Sequence, residues 1–149
     1  MIEYGARKFS QGSYDHSDKY AKDLFISYIK NSGHHLFVEN YDHDIITEKD
    51  GVRFFFELET KSKYPFTTMD TFPFDSVSFL GRKKRLHLKN KFHYIIICRE
   101  TEWAVTCESQ DIFKEEYLES LNINTPNRKG KDQMYRVPKA KCIFFNINE

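Results

Sequence analysis

The sequence predicts an α/β protein with a single domain, in which a central mixed β-sheet is flanked by helices. Between residues 17 and 31, apolar side chains recur at the spacing of an amphipathic helix. Asp50-Gly51 joins two strand-like runs, and this dipeptide favours a tight hairpin because both central turn positions need positive φ. Two further runs, 92–98 and 103–107, are rich in β-branched and aromatic residues and predict another strand pair. A chain of 149 residues is long enough to bury one substantial core.

The elements before the hairpin are predicted from polarity and helix-start signals. Residues 1–16 are polar and contain two glycines, which predicts an irregular N-terminal arm. Ser17 and Asp18 are of the types that cap a helix or occupy its first turn, and the helix is expected to run to about Asn31. A short strand at about 36–39 then leads into the hairpin.

The elements after the hairpin have weaker signals. Two prolines predict a loop over 64–76. Residues 78–90 are ambiguous, and a short basic helix is the preferred interpretation. The remaining predictions are an amphipathic helix over 111–121, a loop over 122–132 and a last strand over 142–147.

The predicted hairpin has two different faces. One is mostly apolar and indicates core, with the pairs Thr47–Phe54, Ile45–Phe56 and His43–Leu58. The other begins with Glu48–Arg53 and Ile46–Phe55 and then presents Asp44–Glu57, Asp42–Glu59 and Lys61. Because like charges directly opposite each other destabilise a sheet, acids in these positions indicate a bound cation. The other interpretation is a solvent-exposed face with scattered charges, although Phe55 and Ile46 imply partial cover over it.

The charge distribution is informative although the net charge is only +1. No Asp or Glu occurs between residues 76 and 99, and six basic residues fall within 81–91: Arg82, Lys83, Lys84, Arg85, Lys89 and Lys91. This segment is either a patch that contacts phosphates or an ordinary solvated surface.

Nothing in the sequence predicts secretion or membrane insertion. The longest aliphatic run, 95–97, is too short to cross a bilayer, and the N-terminal residues lack the apolar stretch of a signal peptide. The three cysteines, Cys98, Cys107 and Cys142, have no metal-like spacing and are expected to be reduced and buried. We therefore expect a cytoplasmic protein without membrane contacts.

The order of helix, strand, acidic hairpin, basic segment and strand pair resembles the core of the restriction-endonuclease-like PD-(D/E)XK nucleases. The resemblance covers residues 17–107. The residues that carry it are Asp44-Ile45-Ile46 on one strand and Phe56-Glu57-Leu58-Glu59-Thr60-Lys61 on the next. His43 stands where the family often has proline. Two registers remain open: Glu59 with Lys61 as a Glu-x-Lys pair, or Glu57 with Glu59 as a Glu-x-Glu variant.

The resemblance implies that residues 17–149 form one nuclease-like domain, a divalent-metal-dependent endonuclease that hydrolyses phosphodiester bonds in nucleic acid, DNA more than RNA. It implies Mg²⁺ or Mn²⁺ as cofactor and a possible homodimer. The implied catalytic residues are Asp44, Glu57, Glu59 and Lys61; the metal ligands are Asp44, Glu57, Glu59 and Asp18; the nucleic-acid contacts are Arg82, Lys83, Lys84 and Arg85.

Asp18 has a competing role as a helix-capping residue. The small size, without a specificity domain, is typical of enzymes from phages or mobile elements, which act in the host-cell cytoplasm. The alternative function is a catalytically degenerate module of the same fold, which binds nucleic acid or docks to protein as an inhibitor would.

Overall fold

The computed structural model describes residues 11–36, 44–61, 64–124 and 129–148. The helices are α1 (Gln11–Asn31), α2 (Lys84–His87) and α3 (Ser109–Ile112). The strands are β1 (His35–Leu36), β2 (Ile45–Lys49), β3 (Val52–Lys61), β4 (Ser76–Leu80), β5 (His93–Cys98), β6 (Trp103–Glu108), β7 (Leu118–Asn124), β8 (Lys129–Pro138) and β9 (Ile143–Asn146). Within these ranges, no helix has the length and apolar character needed to cross a bilayer.

The strands form two sheets. The larger has six strands in the order β1-β2-β3-β5-β6-β9, and the smaller has three in the order β4-β8-β7. In the larger sheet β3 and β5 are parallel, while all other neighbours are antiparallel. The predicted α/β class with a mixed sheet is therefore confirmed, whereas the predicted flanking by helices is wrong for one face, because the smaller sheet covers it.

The larger sheet is covered on both faces. Helix α1 packs on one face through Ala21, Phe25 and Ile29, against a cluster that includes Ile95 and Ile97. The smaller sheet covers the other face, where β4 and β8 contribute Val77, Phe79, Tyr135 and Val137 to a cluster with Tyr94 and Ile96. Alternate residues of β5 thus enter different cores, as the period of a strand requires. A strand that is buried on both faces carries apolar residues at successive positions, and this explains the apolar run in the sequence of β5.

The hairpin has the predicted register. Asp50 and Gly51 form the turn with φ of 54° and 77°. The predicted pairs Ile45–Phe56, Ile46–Phe55, Thr47–Phe54 and Glu48–Arg53 are all present. Asp42 and His43, for which pairs were also predicted, lie outside the described residues.

The N-terminal prediction needs correction. Helix α1 begins at Gln11, so residues 11–16 are helical rather than part of an irregular arm, and residues 1–10 lie outside the described part of the chain. Ser17 and Asp18 lie inside the helix, because residues that can cap a helix are also tolerated within one at a modest cost. Strand β1 ends at Leu36 as described, and the rest of the predicted strand, 37–39, is likewise outside the described residues.

The predicted helix over 111–121 is wrong. One α-helical turn, α3, and one 3₁₀ turn, Glu115–Tyr117, are present there, and Leu118 begins β7, which pairs with β8. The run fits either period, and pairing with the next strand along the chain, β8, decides in favour of a strand. The same pairing makes 122–124 and 129–132 strands instead of a loop, while 125–128 lie outside the described residues.

The prediction for residues 78–90 is correct only in part. Residues 78–80, predicted as helix, belong to β4 because they pair with β8, whereas the short basic helix follows directly as a 3₁₀ turn, Gly81–Lys83, and α2. The predicted last strand is confirmed as β9, and all three cysteines are free and buried as expected.

Candidate functional site

The hairpin brings Asp44 and Glu57 together. The backbone N–H of Asp44 donates to Oε2 of Glu57 over 2.8 Å, and the backbone N–H of Leu58 donates to Oδ2 of Asp44 over 2.9 Å. Each carboxylate is therefore oriented by the backbone of the opposite strand. Glu57 is only 2% exposed, because its face of β3 lies beneath the turn that follows β4. The predicted juxtaposition of these two acids is present.

Lys83 supplies a cation between the two acids. Its Nζ lies 2.8 Å from Oε1 of Glu57 and 3.7 Å from Oδ2 of Asp44, and the side chain is 18% exposed. Burial alone would lower the pKa of Lys83, but Glu57 and then Asp44 outweigh it, so the pKa is raised above its usual value. The ammonium group is thus charged at neutral pH and neutralises the buried carboxylate beside it.

Glu59 lies in a second group on the same face of β3. The hydroxyl of Tyr94 donates to its Oε1 over 2.6 Å, and Nζ of Lys61 lies 3.9 Å from its Oε2. The backbone N–H of Leu80 donates to the Tyr94 oxygen over 3.3 Å. Burial, reinforced by Glu59, raises the pKa of Tyr94 well above its usual value, so the phenol is a neutral donor to Glu59.

The three predicted metal ligands whose side chains the structure describes, Asp44, Glu57 and Glu59, do not form one cluster. Asp44 and Glu57 share Lys83, whereas Glu59 is held by Tyr94 and Lys61. Within the part of the chain that the structure describes, no three His, Cys, Asp or Glu side chains are close enough to hold a metal ion. Asp18 lies in α1, but its side chain falls outside the described part.

The four predicted phosphate contacts are separated by the fold. Arg82, Lys84 and Arg85 are exposed, while Lys83 turns inward to the carboxylates. The separation follows from the 3₁₀ turn Gly81–Lys83, which places consecutive side chains in different directions. The exposed three form a basic surface next to the acidic group.

Gly81 fixes the position of this turn. A Cβ at Gly81 would lie 2.7 Å from both Cβ and the carbonyl oxygen of Gln133 on β8, closer than atoms can approach. The turn therefore rests directly on the backbone of β8, and this contact sets how far Lys83 reaches toward Glu57.

Replacing Gly81 with alanine is expected to push the turn away from β8 and to lower the free energy of unfolding by about 2 kcal/mol. This is the usual cost of adding a methyl group to a well-packed protein interior. Urea unfolding of Gly81→Ala beside the exposed control Lys84→Ala measures this effect. Equal stability of the two variants would contradict the close contact.

Sequence reasoning did not assign a role to Tyr94 or Gly81. Tyr94 lies in the core, and its hydroxyl reaches Glu59. The available signal was the hydroxyl of Tyr94 in a run of aliphatic residues, since a buried hydroxyl needs a partner. The signal for Gly81 was its position directly before four basic residues.

Comparisons with protein-family models, with curated proteins and with solved structures found no match to this chain.

Proposed function

We propose that the protein is a divalent-metal-dependent nuclease that hydrolyses phosphodiester bonds, with DNA favoured over RNA as in the family that the sequence resembles. The observation that carries the proposal is the pairing of Asp44 and Glu57 across the hairpin, around the ammonium group of Lys83. Two acids held together by backbone hydrogen bonds, with a cation between them, mark a position where a divalent ion would also be stabilised.

The residues present fit a Mg²⁺ or Mn²⁺ ion. Hard oxygen ligands suit both ions, and Mg²⁺ is often held by only one or two carboxylates together with water. Asp44 and Glu57 would hold the ion, and Glu59 is the next acid on the same strand face. Such an ion lowers the pKa of a bound water and neutralises charge on the scissile phosphate. Since Lys83 occupies the space between the two carboxylates, the ion and the ammonium group would compete for it.

The remaining predicted residues have distinct tasks in this proposal. Lys61, held beside Glu59, is within the same strand face as the acids and would orient the attacking water or a phosphate oxygen. Arg82, Lys84 and Arg85 form the exposed basic surface and would contact backbone phosphates, which position a duplex without reading its sequence.

The order of elements supports the proposal. The acids lie on the β2–β3 hairpin, β3 is parallel to β5, and the basic segment lies in the connection between those two strands. This is the arrangement expected of a restriction-endonuclease-like core. A homodimer would let two such sites act on the two strands of a duplex.

Lys83 also favours a second candidate function. An ammonium group that already neutralises Glu57 could replace a metal permanently, leaving a module that binds nucleic acid through its basic surface without cleaving it. The two functions differ in whether a divalent ion binds between Asp44 and Glu57.

Incubation with duplex, single-stranded, flap and junction DNA, and with RNA, tests the proposal. Cleavage of at least one substrate is expected with Mg²⁺ or Mn²⁺ and not with EDTA. Asp44→Asn keeps an acceptor for the Leu58 N–H but loses the charge, and it should reduce cleavage by at least about 100-fold. Binding without cleavage under every condition would contradict the nuclease and leave the binding module.

A further inference from the structure

Cys107 and Cys142 occupy opposing positions on neighbouring strands. Strands β6 and β9 are antiparallel, with Val105 opposite Phe144 and Thr106 opposite Ile143. One more step along each strand brings Cys107 opposite Cys142. Residues directly opposite in an antiparallel pair have Cα atoms about 4.5–5.5 Å apart, which lies within the range that a disulfide spans.

The two thiols contact each other and share a largely enclosed environment. Cys107 and Cys142 are 5% and 8% exposed, and their sulfur atoms lie 3.8 Å from the carbonyl oxygens of Lys141 and Pro138 respectively. A hydrogen bond between the thiols lowers the pKa of Cys107 against the opposing effect of burial, and the same bond raises the pKa of Cys142. The direction of these shifts favours Cys107 as the sulfur that attacks first.

We infer that Cys107 and Cys142 are a site of oxidative modification, which a hydroperoxide converts to an intramolecular disulfide. The Cys107 thiolate attacks the peroxide, forming a sulfenic acid and releasing hydroxide. The Cys142 sulfur then attacks the Cys107 sulfur and expels its oxygen as water. In total, two thiols and one hydrogen peroxide give one disulfide and two waters, and a dithiol reductant reverses the change.

The disulfide would link β6 to the residue that precedes β9, the strand at the edge of the larger sheet. β9 is the outermost strand beside β6, and Cys142 directly precedes it. The linkage closes a loop that contains β7 and β8, so it restricts the unfolded chain and should raise the melting temperature.

Cys98 provides an internal control. It ends β5, whereas the residue of β5 that lies opposite Cys107 is Tyr94. A separation of four strand residues is about 13 Å, too far for a disulfide to Cys107 without movement of the backbone.

Trypsin separates the three cysteines, because cleavage after Lys or Arg yields the peptides 92–99, 100–114 and 142–149. After treatment of the folded protein with hydrogen peroxide and alkylation of free thiols, we expect one linked species joining 100–114 to 142–149. Its mass should be about 2 Da below the sum of the two peptides, as loss of two hydrogens requires. Peptide 92–99 should be alkylated and unlinked.

The melting temperature of the treated protein should rise and should return to its starting value with dithiothreitol. Cys98→Ser should behave like the wild type, while Cys107→Ser and Cys142→Ser should show neither the linked species nor the rise. Recovery of 100–114 and 142–149 as separate peptides from treated wild-type protein would overturn the inference, as would linkage to 92–99.

Discussion

Replacing Lys83 with methionine is expected to lower the free energy of unfolding by about 3 kcal/mol in a buffer containing EDTA. Methionine preserves much of the volume of lysine but leaves Glu57 buried without its cation. The pair with Asp44 contributes little to this figure, because that carboxylate is 44% exposed and is screened by water. Urea unfolding of Lys83→Met and of the exposed control Lys84→Met measures the difference.

The same variant tests the proposed metal site. With the ammonium group removed, Mn²⁺ no longer competes with it, and its affinity for Asp44 and Glu57 should rise by at least about tenfold. At 100 times its dissociation constant, the ion would restore about 2.7 kcal/mol of stability. Calorimetry showing equally weak Mn²⁺ binding by wild type and Lys83→Met would contradict the proposed metal site, whereas unchanged stability in EDTA would contradict the ion pair itself.

Replacing Glu57 with glutamine is expected to remove Mn²⁺ binding and to reduce cleavage by about 1,000-fold, because Glu57 is the acid that the hairpin places beside Asp44. Lys61→Met should have a milder effect on cleavage and leave ion binding unchanged, since its ammonium group lies beside Glu59. Glu48→Gln, an exposed change at the other end of the same hairpin, is the matched control.

These variants decide between the two registers of the acidic strand. If Lys61→Met abolishes cleavage while ion binding persists, Glu59 and Lys61 are the Glu-x-Lys pair, and the assignment of Glu57 is wrong. Full activity in Glu57→Gln, Glu59→Gln and Lys61→Met together would exclude this strand face as the site. Isothermal titration with Mn²⁺ and the cleavage assay provide the two readouts.

Local signals in the sequence predicted the hairpin but not everything around it. The turn at Asp50-Gly51 determines each partner across β2 and β3, so the approach of Asp44 to Glu57 followed directly. The approaches of Lys83 to Glu57 and of Tyr94 to Glu59 span 26 and 35 residues of sequence and depend on how β4 and β5 pack. No local pattern encodes such a distance. The pairing of β7 with β8 is local, and it was missed because the residues of 111–121 fit helical spacing as well as a strand.

Gly81 packs directly against Gln133, so the position of Lys83 beside the acidic hairpin depends on the C-terminal part of the chain. None of the residues proposed for cleavage or binding lies beyond Arg85, yet the strand that supports the Lys83 turn is β8. The hairpin is therefore not a transferable unit. A fragment that ends before β8 would retain every acid and every lysine of the site and would lose the surface that brings them together.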